Sequence, residues 1–341
     1  MSDLFLGIDT SNYKTSVAVT DSAGVCVFRK SEFLPVPQGS RGLRQSECFF
    51  RHSCRLPGYI SELCSAIDIH AVKAAGVSAR PRRTEGSYMP CFLAGVNAAS
   101  EMASVLGIPL YEFSHQEGHA AAVMEYGAAQ DETGQSGRAI LMHLSGGTTE
   151  ILTCQQDKEG YALGIIGGTR DISIGQLIDR AGVAMGYSFP AGSYLDKLAE
   201  AYEHDNPGSR PGIAPVKTSD GYFNLSGIET QTLRWIGKAS SEEYPYIAYS
   251  LFERIAQLLA AAAADLSLSE AAGTVYMAGG VASSSFMRKA VQKKIIAVCR
   301  GRTDSPQLVF SSPDLSGDNA VGTALLAGRL FQNSGHLLTN Q

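Results

Sequence analysis

Several common protein classes are excluded by what this chain lacks. Its seven cysteines (Cys26, Cys48, Cys54, Cys64, Cys91, Cys154 and Cys299) are odd in number and form no CxxC pair. That spacing argues against a zinc ribbon and against a secreted disulfide scaffold, and most of these residues read as small core hydrophobes. Charged residues make up only 18% of the 341 positions and the net charge is -5. A mainly electrostatic nucleic-acid binder usually carries a basic surplus, and this chain has none overall. No GK[ST] tripeptide occurs, so there is no Walker A loop. The start, Met1-Ser2-Asp3, lacks the basic region and apolar run of a secretory signal. The longest apolar run, Leu258 to Ala264, is far too short to span a bilayer. The expectation is a soluble, cytoplasmic protein with no membrane partner. The 44% hydrophobic content supports a sizeable core, and the length suits two domains.

Turn chemistry and hydrophobic patterning then give elements. Leu4 to Ile8, Ser16 to Val19 and Val25 to Arg29 read as three strands separated by polar turns. Ala139 to Leu144, Glu150 to Cys154 and Tyr161 to Ile166 repeat that plan. Two such meanders fit an internal duplication at domain scale, and they also fit two unrelated stretches of an α/β chain. Helices are predicted over 42–56, 92–106, 248–266, 283–291 and 320–331, with a strand over 274–277 and a loop over 206–220. The polar segment 128–137 marks the boundary between lobes.

His115 and His119 are four residues apart, so a helix sets them about 40° apart on one face. That is a geometry for two imidazoles on one cation, although a pair of surface or capping histidines has the same spacing. In a HExxH protease the Glu follows the first His directly. Here Glu117 stands two residues on, roughly 200° around the helix, so peptidase chemistry is disfavoured. A pair of imidazoles needs at least one more ligand, and a carboxylate would suit iron, manganese or zinc. Asp318 is a candidate; it also fits a plain helix N-cap.

Three glycine-containing turns stand where regular elements end: Ser145-Gly146-Gly147-Thr148, Phe189-Pro190-Ala191-Gly192 and Ala278-Gly279-Gly280-Val281. Glycine lets backbone N–H groups approach a phosphate or a base closely, and a following helix N-terminus favours anions. Asp179 could accept from ribose hydroxyls, or be an ordinary helix Asp paired with Arg180 or solvated.

The order of these pieces is more specific than any one of them. From about Leu6 to Leu326 the chain resembles the family of tRNA threonylcarbamoyladenosine transferases, once labelled O-sialoglycoprotein endopeptidases or glycoproteases. The anchors are Gly7-Ile8-Asp9-Thr10-Ser11 with Thr15-Ser16-Val17-Ala18-Val19, His115-xx-Gly118-His119 and Ser145-Gly146-Gly147. Then follow Gly175-xxx-Asp179, Pro190-Ala191-Gly192, Gly279-Gly280-Val281 and Asp318-Asn319-Ala320. The resemblance implies an α/β chain with the two-lobed, actin-like ATPase (ASKHA) fold, in which duplicated ribonuclease-H-like domains flank a central cleft. On that plan residues 1–134 form the first lobe, with the His ligands. Residues 135–341 form the second, with the nucleotide loops, and the C-terminal segment returns Asp318 to the cleft. His115, His119 and Asp318 are then the ligands of one divalent metal, iron by resemblance, with zinc or manganese as alternatives. His143, Leu144, Ser145, Gly146, Gly147, Asp179, Gly192 and Ser284 line the site of an ATP-derived adenylate. The implied reaction moves a threonylcarbamoyl group from its adenylate to the adenosine next to the tRNA anticodon. Implied partners are tRNA, other subunits of a tRNA-modification complex and a second copy of the chain.

The departures point toward a divergent paralogue. Thr148 stands where the family usually has His, and Ser284 where it usually has Asn. Asn12-Tyr13-Lys14 replaces its usual Cys-Asp-Asp or Cys-Asp-Glu, and the stretch from Arg80 to Pro90 replaces its Gly-Pro-Gly-Leu loop. Such changes suit a carbamoyltransferase with another acceptor, or a non-catalytic nucleotide- and metal-binding subunit of a tRNA-modification complex. Arg41, Arg44, Arg51, Arg55, Lys73, Arg80, Arg82 and Arg83 cluster in the first lobe. They read either as a face for phosphate backbones or as solvated helix surface.

Overall fold

The computed structural model describes residues 2–11, 13–35, 43–128, 138–158, 160–206, 208–210, 212–311 and 320–338. Strands β1 (Leu4–Asp9), β2 (Lys14–Asp21) and β3 (Cys26–Phe33) lead into α1 (Gln45–Ala66) and β4 (Val72–Arg80). Next come α2 (Phe92–Leu106), β5 (Leu110–Ser114) and α3 (His115–Ala128). The second half runs β6 (Ala139–Leu144), β7 (Thr149–Gln156), β8 (Tyr161–Thr169), α4 (Ile174–Ala184) and α5 (Gly192–Asp205). It continues with β9 (Tyr222–Phe223), α6 (Ser226–Ile236), α7 (Tyr244–Ser269), β10 (Thr274–Ala278), α8 (Ser285–Val298), β11 (Gln307–Phe310) and α9 (Ala320–Leu338).

The chain divides into two compact units. The first holds the described residues of Met1–Gln135, Gln156–Leu163 and Gly317–Gln341, and the second those of Ser136–Gln155 and Gly164–Ser316. The expected cut put everything beyond residue 134 in one lobe. The β7–β8 tip and α9 belong instead to the first unit.

The first unit is built on a sheet of order β3-β2-β1-β4-β5. The predicted meander is its antiparallel part, and β4 and β5 extend it in parallel. All six residues of β1 are buried, as a central strand covered on both faces requires. Leu6, Ile8, Val17, Val19, Leu56, Leu63 and Val77 make the core on one face. Each such side chain contributes about 1.5–3 kcal/mol when fully buried. The predicted α1 stops at residue 56, before Pro57, but the helix runs on to Ala66 because Tyr59 and Leu63 are buried beyond it. Proline removes one helix hydrogen bond, and tertiary burial outweighs that local cost. Helix α9 packs on α3 at backbone distance. A Cβ on Gly322 would lie 1.9 Å from the Gly118 carbonyl oxygen.

The second unit repeats the order. Its sheet is β11-β10-β6-β7-β8-β9. Each sheet places its meander strands third, second, first, then adds two later strands in parallel beside the first. The duplication suggested by the two meanders is therefore present in the topology, and β9 is an addition to the second copy. Helix α7 is the core helix of this unit. The stretch Ser241–Ser269 is long and apolar enough to cross a membrane, but 89% of its most apolar window is buried inside the protein. The helix runs beyond the predicted 248–266 at both ends, and Ser250, Glu253 and Arg254 are buried within it.

Candidate metal centre and nucleotide loops

In the first unit α3 starts directly after β5, and its first turn is set by a capping box. Ser114 Oγ accepts from the Glu117 N–H at 3.2 Å, and Glu117 Oε2 accepts from the Ser114 N–H at 2.8 Å. This satisfies two of the helix's orphan donors and fixes where the helix begins. His115 and His119 then fall on consecutive turns, with ring centroids 4.6 Å apart at 69°. Their candidate ligand nitrogens lie within 4.8 Å of one another. His119 is buried and His115 is 23% exposed. Glu117 Oε1 faces Arg83 at 3.5 Å. Its carboxylate is thus spent on the helix start and on Arg83, in keeping with its placement off the histidine face.

His115 has a partner that the local pattern did not reveal. Its Nδ1 lies 3.0 Å from Oδ2 of Asp9, at the end of β1. Burial works to raise the Asp9 carboxyl. The charge of His115 and hydrogen bonds from His115, Ser11 and Ser78 outweigh it and hold the group well below the usual carboxylate range. An ionised carboxylate only accepts, so Nδ1 carries the hydrogen, and Nε2 is the nitrogen that a neutral His115 ring would offer to a metal. This is the arrangement in which carboxylates orient histidine ligands of metals. Two imidazoles and an orienting carboxylate are a donor set that suits a divalent transition metal. Asp318, the third expected ligand, lies outside the described residues.

The loop from Arg80 to Pro90 packs against this helix start. Pro81 O accepts from the Gln116 N–H at 3.3 Å, and Arg83 pairs with both Glu117 and Asp157. Others of the first-lobe basic residues also serve local structure. Arg51 pairs with Glu47 and donates to Pro35 O, and Arg55 donates to the carbonyls of Glu32 and Phe33.

In the second unit the glycine turns lie at the ends of packed elements. His143 and Leu144 close β6 and are buried. The turn that follows is held by Ser145 N–H donating to Thr148 O at 2.8 Å and by Thr148 N–H donating to Ser145 Oγ at 3.0 Å. The Thr148 backbone is therefore part of the turn's closure. Ser173, the N-cap of α4, donates to Gly146 O at 2.8 Å. Gly175 seats the turn on α4, since a Cβ there would lie 2.5 Å from both the Ser145 O and Gly146 Cα. Gly279, at φ +97°, brings its loop against Leu144, whose carbonyl oxygen would be 2.3 Å from a Cβ. Gly146 itself faces open space, with nothing within 4 Å of a Cβ.

Asp179 does not take the expected pairing with Arg180. Arg180 pairs with Glu229 at 2.7 Å, while Asp179 Oδ1 accepts from the Ala191 N–H at 2.8 Å. Burial raises its carboxyl above the ordinary value, against the hydrogen bonds from the Ala191 and Gly192 N–H groups. It thus ties α4 to the start of α5, where Gly192 stands. Ser284 is the N-cap of α8: its hydroxyl accepts from the Met287 N–H at 3.0 Å and donates to Asp196. Asp196 also accepts from the Ser285 and Phe286 N–H groups, so an internal carboxylate occupies the helix end that the glycine pattern offered to an anion.

A family model described as tRNA N6-adenosine threonylcarbamoyltransferase matches residues 45–324. The protein of that name from Thermosipho africanus is 28% identical over 337 residues, covering 96% of this chain and 94% of that protein. The one from Chlorobium luteolum is 31% identical over 252 residues, covering 69% of this chain and 68% of that protein. Among solved structures, a ROK family glucokinase from Streptomyces griseus in complex with glucose and AMPPNP aligns with TM-score 0.53 at 17% identity, over 95% of this chain and 99% of that one. Full-length HypF in the phosphate- and nucleotide-bound form aligns with TM-score 0.59 at 12% identity, over 97% of this chain and 56% of that one. At these identities the likeness is one of fold, and the fold is the actin-like ATPase fold expected from the sequence.

Proposed function

We propose, from the premise that this chain belongs to the tRNA N6-adenosine threonylcarbamoyltransferase family, that it transfers a threonylcarbamoyl group from its adenylate to the adenosine next to a tRNA anticodon. The carbonyl carbon would exchange its bond to the adenylate phosphate oxygen for one to the exocyclic amine, with AMP as leaving group and the amine proton lost to solvent. The observation that carries this reading is the His115–His119 pair on α3 with His115 oriented by Asp9.

On this reading His115 and His119 hold a divalent metal together with Asp318, with iron favoured by the family resemblance. Lewis-acid polarisation of a carbonyl or phosphoryl oxygen is the chemistry such a metal supplies when bound. The protein's own part is orientation. Asp9 fixes the His115 ring and its tautomer, and the Ser114–Glu117 box fixes the helix that carries both rings. His143, Leu144 and the Ser145–Gly147 turn, with Asp179 and Gly192, are the proposed adenylate loops. Open space at Gly146 and the turn's anchorage by Ser173 support this assignment. The partners are the tRNA and the other subunits of a modification complex, in the cytoplasm.

A second reading is favoured by the loops. Ser284 is committed to Asp196, and the Arg80 to Pro90 loop is anchored on Glu117. These suit a paralogous carbamoyltransferase with another acceptor. One experiment separates the two. The full chain, its partner proteins, threonylcarbamoyl-adenylate and unmodified tRNA are incubated, and the tRNA nucleosides are analysed by mass spectrometry. Threonylcarbamoyladenosine supports the first reading. Adenylate turnover without any need for tRNA supports the second.

A further inference from the structure

A cavity of about 450 Å³ opens in the second unit beside the first turn of α6. Its size falls in the range of small-ligand sites. Its lining includes the cations Arg170 and Lys217 and no carboxylate, in a chain whose net charge is -5. Neither cation has an ion-pair partner among the described residues. This contrasts with Arg51, Arg55 and Arg83, which are spent on local contacts.

The walls are fixed by bonds. Gln231 spans the loop, its Oε1 accepting from the Ala214 N–H at 3.2 Å and its Nε2 donating to Gly212 O at 3.4 Å. Ser219 and Tyr222 exchange backbone hydrogen bonds at 2.9 Å each way. The Arg170 guanidinium lies over the Tyr222 ring, 4.9 Å from its centroid. This cation–π contact restricts the planar fork, so less freedom is lost when it binds a phosphate. The one carboxylate next in sequence, Asp171, is engaged by the Ile172, Leu225 and Ser226 N–H groups. Apolar wall is supplied by Pro215 and Ile228, and a carboxamide by Asn224.

A guanidinium, an ammonium, an apolar wall and an amide suit a ligand with a phosphate, a flat ring and polar ring edges. Single-stranded RNA is held by that combination of phosphate contacts and base stacking. We propose that this cavity binds a nucleoside phosphate, supplied as one nucleotide of the tRNA strand. This rests on the tRNA reading given above. Arg170 lies three residues before Ser173, which anchors the Ser145–Gly147 turn, so the same short segment serves both sites.

The test uses the full chain, wild type and Arg170→Gln/Lys217→Gln, with two probes: labelled tRNA, and uridine monophosphate, whose base differs from that of the proposed adenylate substrate. Both side chains are exposed, so circular dichroism should be unchanged. Asn224→Asp, which adds a carboxylate to the wall, is the second variant. The double variant is expected to bind tRNA about tenfold more weakly or worse. Its salt-dependence slope should fall by about 1 per cation removed. Asn224→Asp should weaken binding in the same direction. Loss for uridine monophosphate alone would assign the site to a free nucleotide. Wild type and both variants that bind and modify tRNA equally, with equal salt slopes, would overturn the cavity proposal and leave the family reading standing. A wild type that binds neither probe would overturn the proposal, and the tRNA reading would be judged separately by the nucleoside analysis.

Discussion

His115 donates from Nδ1 to Oδ2 of Asp9 at 3.0 Å, across 106 residues of sequence. The bond joins the end of the first strand to the start of the helix that carries the histidine pair. It makes the orientation of His115 a property of the whole first unit. Asp9→Asn keeps an acceptor of similar shape and removes the charge. Metal affinity, measured by zinc or manganese titration calorimetry on the full chain, should fall about 10- to 100-fold. An unchanged affinity would mean that the imidazole needs no such partner.

The capping box gives a second prediction. Ser114→Ala removes the acceptor of the Glu117 N–H and should cost about 1 kcal/mol in denaturant unfolding of the first unit. Metal affinity should weaken too, because the frayed turn holds His115.

Gly322→Ala places a methyl group where the Gly118 carbonyl oxygen already lies, 1.9 Å from the ideal Cβ. Helices α3 and α9 must then separate. The expected loss is about 1–3 kcal/mol or more, read as a lower unfolding midpoint. Gly227→Ala, at a position with nothing within 4 Å of a Cβ, is the control and should change stability little.

Asp171 supplies the pH dependence. Burial pushes its carboxyl up, but the N–H groups of Leu225, Ser226 and Ile172 outweigh it and hold the group well below its ordinary 3.8. A carboxyl whose folded value is depressed stabilises the fold above the unfolded value, and loses that contribution as pH falls through the folded value. Asp171→Asn should therefore be less stable than wild type at neutral pH. The gap, followed by urea midpoints, should narrow as the solution is taken into strong acid. A gap that stays constant with pH would mean the charge is not what holds α6.

Both meanders and the α2 helix were legible in the sequence because turn residues and alternation mark them locally. The spacing of His115 and His119 was legible for the same reason. Asp9 was not, since nothing near it in sequence points to a histidine 106 residues on. Strand β4, Val72 to Arg80, escaped because Ala74, Ala75 and Gly76 carry little hydrophobic signal, although Ala74 and Ala75 are fully buried. The Ser114-x-x-Glu117 capping box was available as a pattern and would have located the start of α3. The roles of Ser284 and Asp179 depended on Asp196 and Ala191, partners that only packing brings together. Family anchors identify positions of this kind, while the hydrogen bonds at each position decide what the side chain is free to do.

On the proposed function, a threonylcarbamoyl group is transferred to tRNA with support from a metal held by the histidine pair. The most direct measurement is nucleoside mass spectrometry of tRNA after incubation with partner proteins and the adenylate, comparing wild type with His115→Ala. The account predicts threonylcarbamoyladenosine with wild type, and its loss in the variant with the fold and partner assembly retained. Unmodified tRNA from a wild type that demonstrably binds metal and nucleotide, or equal modification by His115→Ala, would contradict it.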